Sequence, residues 1–361
     1  MLPTSTKAAV YERGGGIALR DVDLAPPAKG ELLVRVTACG ICPGEVMGWY
    51  NDRKAPFVLG HEPVAVIEAC GAGAAPHTNG TASKKNGAQP FKPGERVFVH
   101  HHAPCMTCRR CKRKDYVQCE TWRNTRLRPG AMAQYALVPA ESVRADVLRI
   151  PDSLDDDLAT MVEPLATVVK SVRRSRMRAG DRVLVIGLGV MGMLHVALAR
   201  FRGAELIMGA DRVDSRLEAA RQHGAHHAFD VKQAPLHEQV AAATDGEGAD
   251  IVIVGPGSVE AMQSAAQCVA PGGTIVLFTP TQATEYWPLP VHDFYFKDVS
   301  VVASYSAGPD DTREALTLLT DGLPVRSLVT HRFGLDSIAE AYKLVAAGQD
   351  ALKVIVYPGR P

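Results

Sequence analysis

Short β-rich runs at Leu32 to Ala38, Val64 to Glu68, Arg96 to Val99 and Ala133 to Val138 are separated by Gly- and Pro-rich turns. That pattern predicts a compact, mostly β domain. Near Leu158 the texture changes. An apolar helix-like segment is followed by Arg182 to Ile186, Leu206 to Ala210, Ile251 to Val254 and Thr274 to Phe278, all short apolar runs separated by helical stretches. Strands alternating with helices predict a doubly wound parallel sheet, so the fold class is α/β beside a β domain. Beyond Tyr305 the pattern gives helices at Asp311 to Asp321 and Ser337 to Ala347, then a terminal strand at Leu352 to Tyr357. Ala72 to Phe91 is polar, aperiodic and rich in turn residues, which predicts an exposed, mobile loop.

The chain has 361 residues and 46% hydrophobic content, enough for two cores without disulfides. Forty Lys and Arg nearly cancel 39 Asp and Glu, so no overall field draws in nucleic acid or an anionic membrane, and a small-molecule partner is expected. Met1 to Val10 lacks the apolar core of a signal peptide, and no run reaches the roughly 18 apolar residues of a membrane span. A cytoplasmic location follows as the expectation. In that reducing compartment the eight cysteines suit metal binding or packing better than disulfides.

Four of them, Cys105, Cys108, Cys111 and Cys119, fall in a lobe spanning about residues 100 to 125, with the spacing Cys-x2-Cys-x2-Cys-x7-Cys. Four thiolates on one tight loop are the closed tetrahedral donor set of structural zinc. An iron–sulfur cluster is the competitor, but its fourth cysteine is usually followed by Pro, and Cys119 is followed by Glu120. Basic residues between the ligands, Arg109 to Lys114, offset the thiolate charge or form a solvated face.

The run Arg182 to Ile186 leads into Gly187-Leu-Gly189-Val190-Met191-Gly192 and a helical stretch, so G-x-G-x-x-G stands in its required strand-to-helix context. The glycines let the backbone turn and approach a pyrophosphate seated on the helix N-terminus. About 20 residues on, at the end of the next strand, Asp211 is placed to accept from the ribose hydroxyls and to repel a 2′-phosphate, which selects NAD over NADP. Arg212 and Arg216 temper that selection, because either can cover adenine or pair with a phosphate.

Two further fragments, Cys39-Gly-Ile-Cys42-Pro-Gly-Glu45 and Gly60-His61-Glu62-Pro63, complete a constellation with the cysteine lobe, Glu163-Pro-Leu-Ala, the glycine loop, Asp211 and Ala351-Leu-Lys-Val354. Across essentially its whole length the chain resembles the zinc-dependent medium-chain dehydrogenases, the family of alcohol, sorbitol and threonine dehydrogenases. The resemblance implies a GroES-like catalytic domain from residues 1 to 157 and 305 to 361. It implies a Rossmann NAD-binding domain from 158 to 304, with the catalytic site in the cleft between them. It further implies two zinc ions per chain, a homodimer or homotetramer, and a catalytic zinc at Cys42, His61, Glu62 and Glu163, with Glu163 supplied from the start of the nucleotide domain. A glutamate at that last position is the habit of the polyol branch. The expected reaction is hydride transfer between a secondary alcohol, such as a polyol, sugar or sugar derivative, or its ketone, and NAD. An open zinc site with three protein ligands suits it. Thr167 matches a position lining the nicotinamide and Lys353 one reaching the pyrophosphate. Trp49, Tyr50 and Ser304 are expected at the substrate pocket.

The chain departs from the family at Gly44 and Met47, where relatives carry the hydroxyl and imidazole that pass the alcohol proton to solvent; neither residue relays a proton. Either the proton leaves through Glu62, Glu163, Tyr50 or water, or the enzyme reduces an activated C=C or C=N bond. A non-catalytic nucleotide sensor is the alternative of another class. Cys39 is expected to pack as a small buried residue, and His100 to His102 to cover the domain surface rather than bind metal.

Overall fold

The computed structural model describes residues 1–76, 89–349 and 351–359. The predicted loop lies mostly outside them, at His77 to Ala88. Strands follow in chain order as β1 (Ser5–Glu12), β2 (Gly16–Asp23), β3 (Leu32–Gly40), β4 (Phe57–Val58), β5 (Glu62–Cys70), β6 (Arg96–Val99), β7 (Tyr135–Val138) and β8 (Val147–Arg149). Next come β9 (Arg182–Ile186), β10 (Leu206–Asp211), β11 (His227–Asp230), β12 (Ala249–Val254), β13 (Val269–Leu277) and β14 (Ser300–Ala303), and finally β15 (Val329–Gly334) and β16 (Lys353–Tyr357).

The first compact unit comprises Met1–Ala166, Ala307–Gly322 and Val329–Pro361. Its larger sheet runs β15-β16-β3-β5-β6-β8, with β7 also on β3; β2-β1-β4 form a small second sheet. β3 reads LLVRVTACG and is almost wholly buried because β5, β7 and β16 all pair with it. Leu32, Val34, Val36, Ile67, Val97, Val354 and Val356 build its main core. Register shifts between β3 and β5 kink the pair, and β5 begins at Glu62, directly after His61.

The second unit, Thr167–Ser306 with Leu323–Leu328, is organised around six parallel strands in the order β11-β10-β9-β12-β13-β14. The order reverses beside β9, the arrangement that places a dinucleotide at the carboxyl ends of the strands. β9 (RVLVI) and β12 (ADIVIV) are continuous apolar runs because parallel strands are covered on both faces.

The division differs from the expected boundaries in three places, the smallest being the return to the first unit after Ser306 rather than after residue 304. The chain passes from the first unit to the second within the helix Val162–Ser175, after Ala166 rather than after residue 157. Leu323–Leu328, expected with the catalytic domain, returns to the second unit. A continuous apolar helix carries no composition change that would mark such a break. Among the described residues no helix is long and apolar enough to cross a membrane.

Candidate functional site

The four lobe cysteines bring one sulfur each to within 4.8 Å of one another. The separations Cys105–Cys111 and Cys108–Cys111 are 3.9 and 3.6 Å. Four sulfurs each about 2.3 Å from one ion stand about 3.8 Å apart, so the set has the dimensions of a tetrahedral zinc site. All four are free thiols, and the separations are far from a disulfide's. The amides of Cys108 and Cys105 donate to the sulfurs of Cys105 and Cys119 at 3.4 Å each. Burial raises the Cys105 thiol, but the Thr107 hydroxyl and the backbone amides of Thr107 and Cys108 outweigh it and bring it to about 6, which favours the thiolate a metal requires. Arg109 and Arg110 are exposed, and Lys114 pairs with Asp310 at 2.9 Å, so the basic run is a solvated face.

A second cluster forms in the same unit. Cys42, His61 and Glu62 present a sulfur, a ring nitrogen and a carboxylate oxygen within 4.8 Å of one another. Cys42 caps the turn Pro43–Val46, and its sulfur accepts from the Gly44 amide at 3.4 Å. Glu45, on the same turn, is buried and accepts from His61 Nδ1 at 2.8 Å, the Gly60 amide at 2.8 Å and the Tyr342 hydroxyl at 2.5 Å. Holding Nδ1 in this way fixes the tautomer and leaves Nε2 for a metal, the usual support of a ligating histidine. Burial disfavours a charged His61 ring, yet the Glu45 carboxylate and Cys42 sulfur overcome it and raise the ring well above its ordinary value. Glu45 had no role in the sequence reading. Its only signal was its place three residues after Cys42.

Lys353, expected at a pyrophosphate, is fully buried with Nζ on Glu62 and on the Ile41 carbonyl at 3.3 Å. Gly40 makes room for this pair, because a Cβ there would collide with Glu62 Oε2 and the Lys353 side chain. The antiparallel register of β3, β5 and β16 brings the three residues together. Lysine sits opposite a carboxylate because neither charge is stable alone in a dry interior.

The histidine tract departs from its expected surface role. His100 is 0% exposed, and its Nδ1 lies 2.7 Å from Asp146 Oδ2, also 0% exposed; Thr312 donates to the other Asp146 oxygen at 2.5 Å. The reason is topological: β6 and β8 pair up to Val99 and Val147, and the His100 amide continues onto the Asp146 carbonyl at 3.1 Å, which carries the chain inward. His100, His101 and Glu163 place one donor atom each within 4.8 Å of one another. The His101 ring lies 4.8 Å from that of His61. Burial raises the Glu163 carboxyl; His61 opposes and Glu62 reinforces that shift. His102 stacks on Trp122 at 3.9 Å and is depressed to about 2 by burial and the Arg126 charge. Glu163 belongs to the first unit, not to the nucleotide domain expected to supply it. The break after Ala166 leaves it on the same side as Cys42 and His61.

In the second unit Gly187 has φ +88° after β9, and Gly189 caps the helix Val190–Phe201, whose first turn contains Val190, Met191 and Gly192. Gly192 packs so closely on the Gly187 carbonyl that a Cβ would overlap it. The Asp211 carboxylate is 8% exposed and accepts from Leu188 N at 2.7 Å, Arg212 N at 2.7 Å and Val213 N at 3.0 Å, with Arg216 Nη1 at 3.6 Å. It therefore ties the glycine loop to the end of β10, while Oδ2, which takes a single amide, retains a lone pair. Arg212 is exposed. Thr167 is half-buried, and Ser304 is buried at the carboxyl end of β14 with its Oγ unpartnered among the described residues. Trp49 and Tyr50 sit on a short helix as an edge-on ring pair 5.9 Å apart, with Lys54 Nζ 3.5 Å over Tyr50.

Comparison with known proteins gives the family. A family described as "Alcohol dehydrogenase GroES-like domain" matches residues 28–152, and one described as "Zinc-binding dehydrogenase" matches 190–321. The chain belongs to the zinc-dependent medium-chain dehydrogenases. It is an oxidoreductase built from a GroES-like domain and a Rossmann-type sheet. Sorbitol dehydrogenase of Bacillus subtilis (strain 168) is 27% identical over 369 residues, 99% of each chain. L-Threonine 3-dehydrogenase of Anaeromyxobacter dehalogenans (strain 2CP-C) is 28% identical and covers 93% of each. Among solved structures, a zinc-binding dehydrogenase from Sinorhizobium meliloti 1021 bound to NADP has a TM-score of 0.85 at 27% identity, covering 99% of this chain and all of its own.

Proposed function

We propose that this dehydrogenase exchanges hydride between a secondary alcohol, of the polyol, sugar or sugar-derivative class, or its ketone, and NAD. The observation that carries the reading is the convergence of Cys42, His61 and Glu62, with Glu163 within electrostatic reach and His61 held by Glu45. The donors fit zinc: a sulfur, an imidazole and carboxylates form a borderline-soft set with fewer than four obligatory ligands. Cys42, His61, Glu62 and Glu163 would hold the zinc, which would supply a Lewis acid for the substrate's oxygen.

The protein side chains do the remaining work. Gly44 N steadies the Cys42 sulfur, and Glu45 orients His61. Lys353 neutralises one Glu62 oxygen, so Glu62 acts as a weak, adjustable ligand. Gly187, Gly189, Val190, Met191 and Gly192 cradle the cofactor's pyrophosphate on the free amides of a helix N-terminus. Asp211 receives the adenosine ribose, with Arg212 and Arg216 flanking it, and Thr167 and Ser304 line the nicotinamide end. Trp49 and Tyr50 form a wall of the substrate pocket. Asp211 favours the 2′-hydroxyl of NAD over a 2′-phosphate. The relatives named sorbitol dehydrogenase and L-threonine 3-dehydrogenase support the substrate class.

The four-cysteine lobe takes the second zinc as a structural ion. Assembly as a homodimer or homotetramer is supported by β14, which among the described residues pairs only with β13 and leaves Val301, Tyr295 and Phe296 exposed nearby at 37%, 79% and 74%.

A panel of polyols and sugar alcohols assayed with NAD and NADP tests the reading. NADH formation with at least one polyol, falling about 10³-fold or more in Cys42→Ala, is the expected outcome. One observation favours a second reading: Gly44 and Met47 supply no hydroxyl or imidazole for a proton relay. Turnover of an enone with no polyol oxidised would make this a reductase of activated C=C bonds. Cofactor binding without turnover of either would make it a nucleotide sensor.

A further inference from the structure

The triad beside the proposed catalytic donors has properties that packing does not explain. His100 Nε2 and His101 Nδ1 are both buried and have no hydrogen-bond partner among the described residues. Each leaves a polar atom without a protein partner among the described residues, which costs about 1–3 kcal/mol unless something else occupies the space. His100 Nδ1 is committed to Asp146, and Asp146 is itself held by Thr312, all with no exposure. A carboxylate on one ring nitrogen leaves the other as a bare lone pair and fixes the ring plane, the support that ligating histidines receive. One ring nitrogen each of His100 and His101 and a Glu163 oxygen meet within 4.8 Å.

We propose that His100, His101 and Glu163 form a further binding position for a divalent, zinc-like cation, next to but separate from Cys42 and His61. A cation satisfies a His100 nitrogen, a His101 nitrogen and the Glu163 carboxylate together. Two imidazoles and a carboxylate select a borderline transition-metal ion such as zinc or cobalt(II) over magnesium or calcium. The position contains no sulfur, unlike Cys42–His61–Glu62. This inference rests on the proposed Cys42-centred site only in placing Glu163 between two sets of donors. It adds a third ion to the two expected.

Full-length protein loaded with zinc, desalted into metal-free buffer and measured by plasma mass spectrometry tests it directly. The expected content is about three zinc ions per chain in the wild type and about two in His101→Gln and in His100→Asn. Asparagine at 100 retains an amide donor for Asp146, so loss of metal there is separable from loss of fold. The sulfur-to-cobalt charge-transfer band of the four-cysteine lobe in cobalt-loaded protein verifies folding in each variant. Cobalt(II) added to Cys42→Ala is expected to give d–d absorption beyond that of the lobe, and the Cys42→Ala/His101→Gln double variant to lack it. About two zinc ions in the wild type, or three with no loss in either histidine variant, overturns the position. A Cys42→Ala protein that keeps its full zinc content while His101→Gln loses one ion would instead sink the Cys42 site and leave this one standing.

Discussion

The four-cysteine lobe draws every donor from fifteen consecutive residues, 105 to 119, whereas Cys42, His61 and Glu62 with the neighbouring His100, His101 and Glu163 are gathered from positions more than a hundred residues apart. The lobe closes on four sulfurs, uses backbone amides as support, and needs little beyond its own loop. The second cluster depends on β3, β5, β6 and β16 lying in one register and on distant supports, Tyr342 on Glu45 and Thr312 on Asp146. A local, closed donor set makes a structural site; a dispersed set held by other side chains leaves room for a substrate and allows ligands to differ in strength.

The contrast breaks first at the lobe. Replacing Cys111 by Ser removes one of four sulfurs, and structural zinc is worth on the order of 10 kcal/mol in isolated zinc peptides. Trypsin is expected to cut the exposed run Arg109 to Lys114 at least about 10-fold faster in Cys111→Ser. Cys42→Ala should leave that rate unchanged. Equal cleavage in both variants would mean that the lobe folds without its metal.

The dispersed cluster is expected to be sensitive to its charges. In Lys353→Met the buried Glu62 carboxylate loses its counter-charge, and removing one partner of such a pair costs about 3–5 kcal/mol. A calorimetric melting temperature lowered by about 10 °C is the expected result. An unchanged value would show that Glu62 finds another partner or a proton.

His195 provides the metal-free reference for acid sensitivity. It is buried between Ser171 Oγ at 2.5 Å and the Met191 carbonyl at 2.8 Å, and burial depresses it to about 4 against 6.5 in an unfolded chain. Its neutral form belongs to the folded state, so its stabilisation is complete above pH 6.5 and is lost as pH falls toward 4, about 3 kcal/mol across that window. Melting temperature measured against pH should flatten in this window in His195→Gln. Acid-induced loss that persists in the variant comes from the remaining titrating groups, His102 among them.

The smallest expected effect concerns support. Glu45→Gln keeps a hydrogen bond to His61 but removes the charge, which should weaken zinc at Cys42–His61 by about 10–100-fold in a competition titration with a chelator. The four-cysteine site is expected to keep its affinity. An equal loss at both would mean that the variant had loosened the whole unit.

Much of the architecture was legible because its signals are local. β6 and β9 have the predicted bounds, and the other predicted strands fall within a few residues of the observed ones, because an apolar run between turn residues determines a strand wherever it packs. The hairpin β1–β2 and the short strands β11, β14 and β15 carried weaker signals; their exposed or mixed faces do not stand out from loops. At the site, Cys42, His61 and Glu62 were readable through the family resemblance. Glu45 was not, since a glutamate near a ligand looks the same whether it faces solvent or an imidazole. His100 looked like surface because nothing in a His-His-His run reveals that Asp146 waits inside.

The sequence by itself determined the two-fold organisation, the closed sulfur site and the glycine loop, because each follows from periodicity or spacing within about 30 residues. Only the tertiary structure decided which carboxylates face which charges. Glu62 meets Lys353, Glu45 meets His61, Asp146 meets His100, and Asp211 turns onto the glycine loop. The physical reason is that a buried charge is stable only beside its partner, and that partner's position is set by strand register across the whole sheet rather than by any neighbour in the chain.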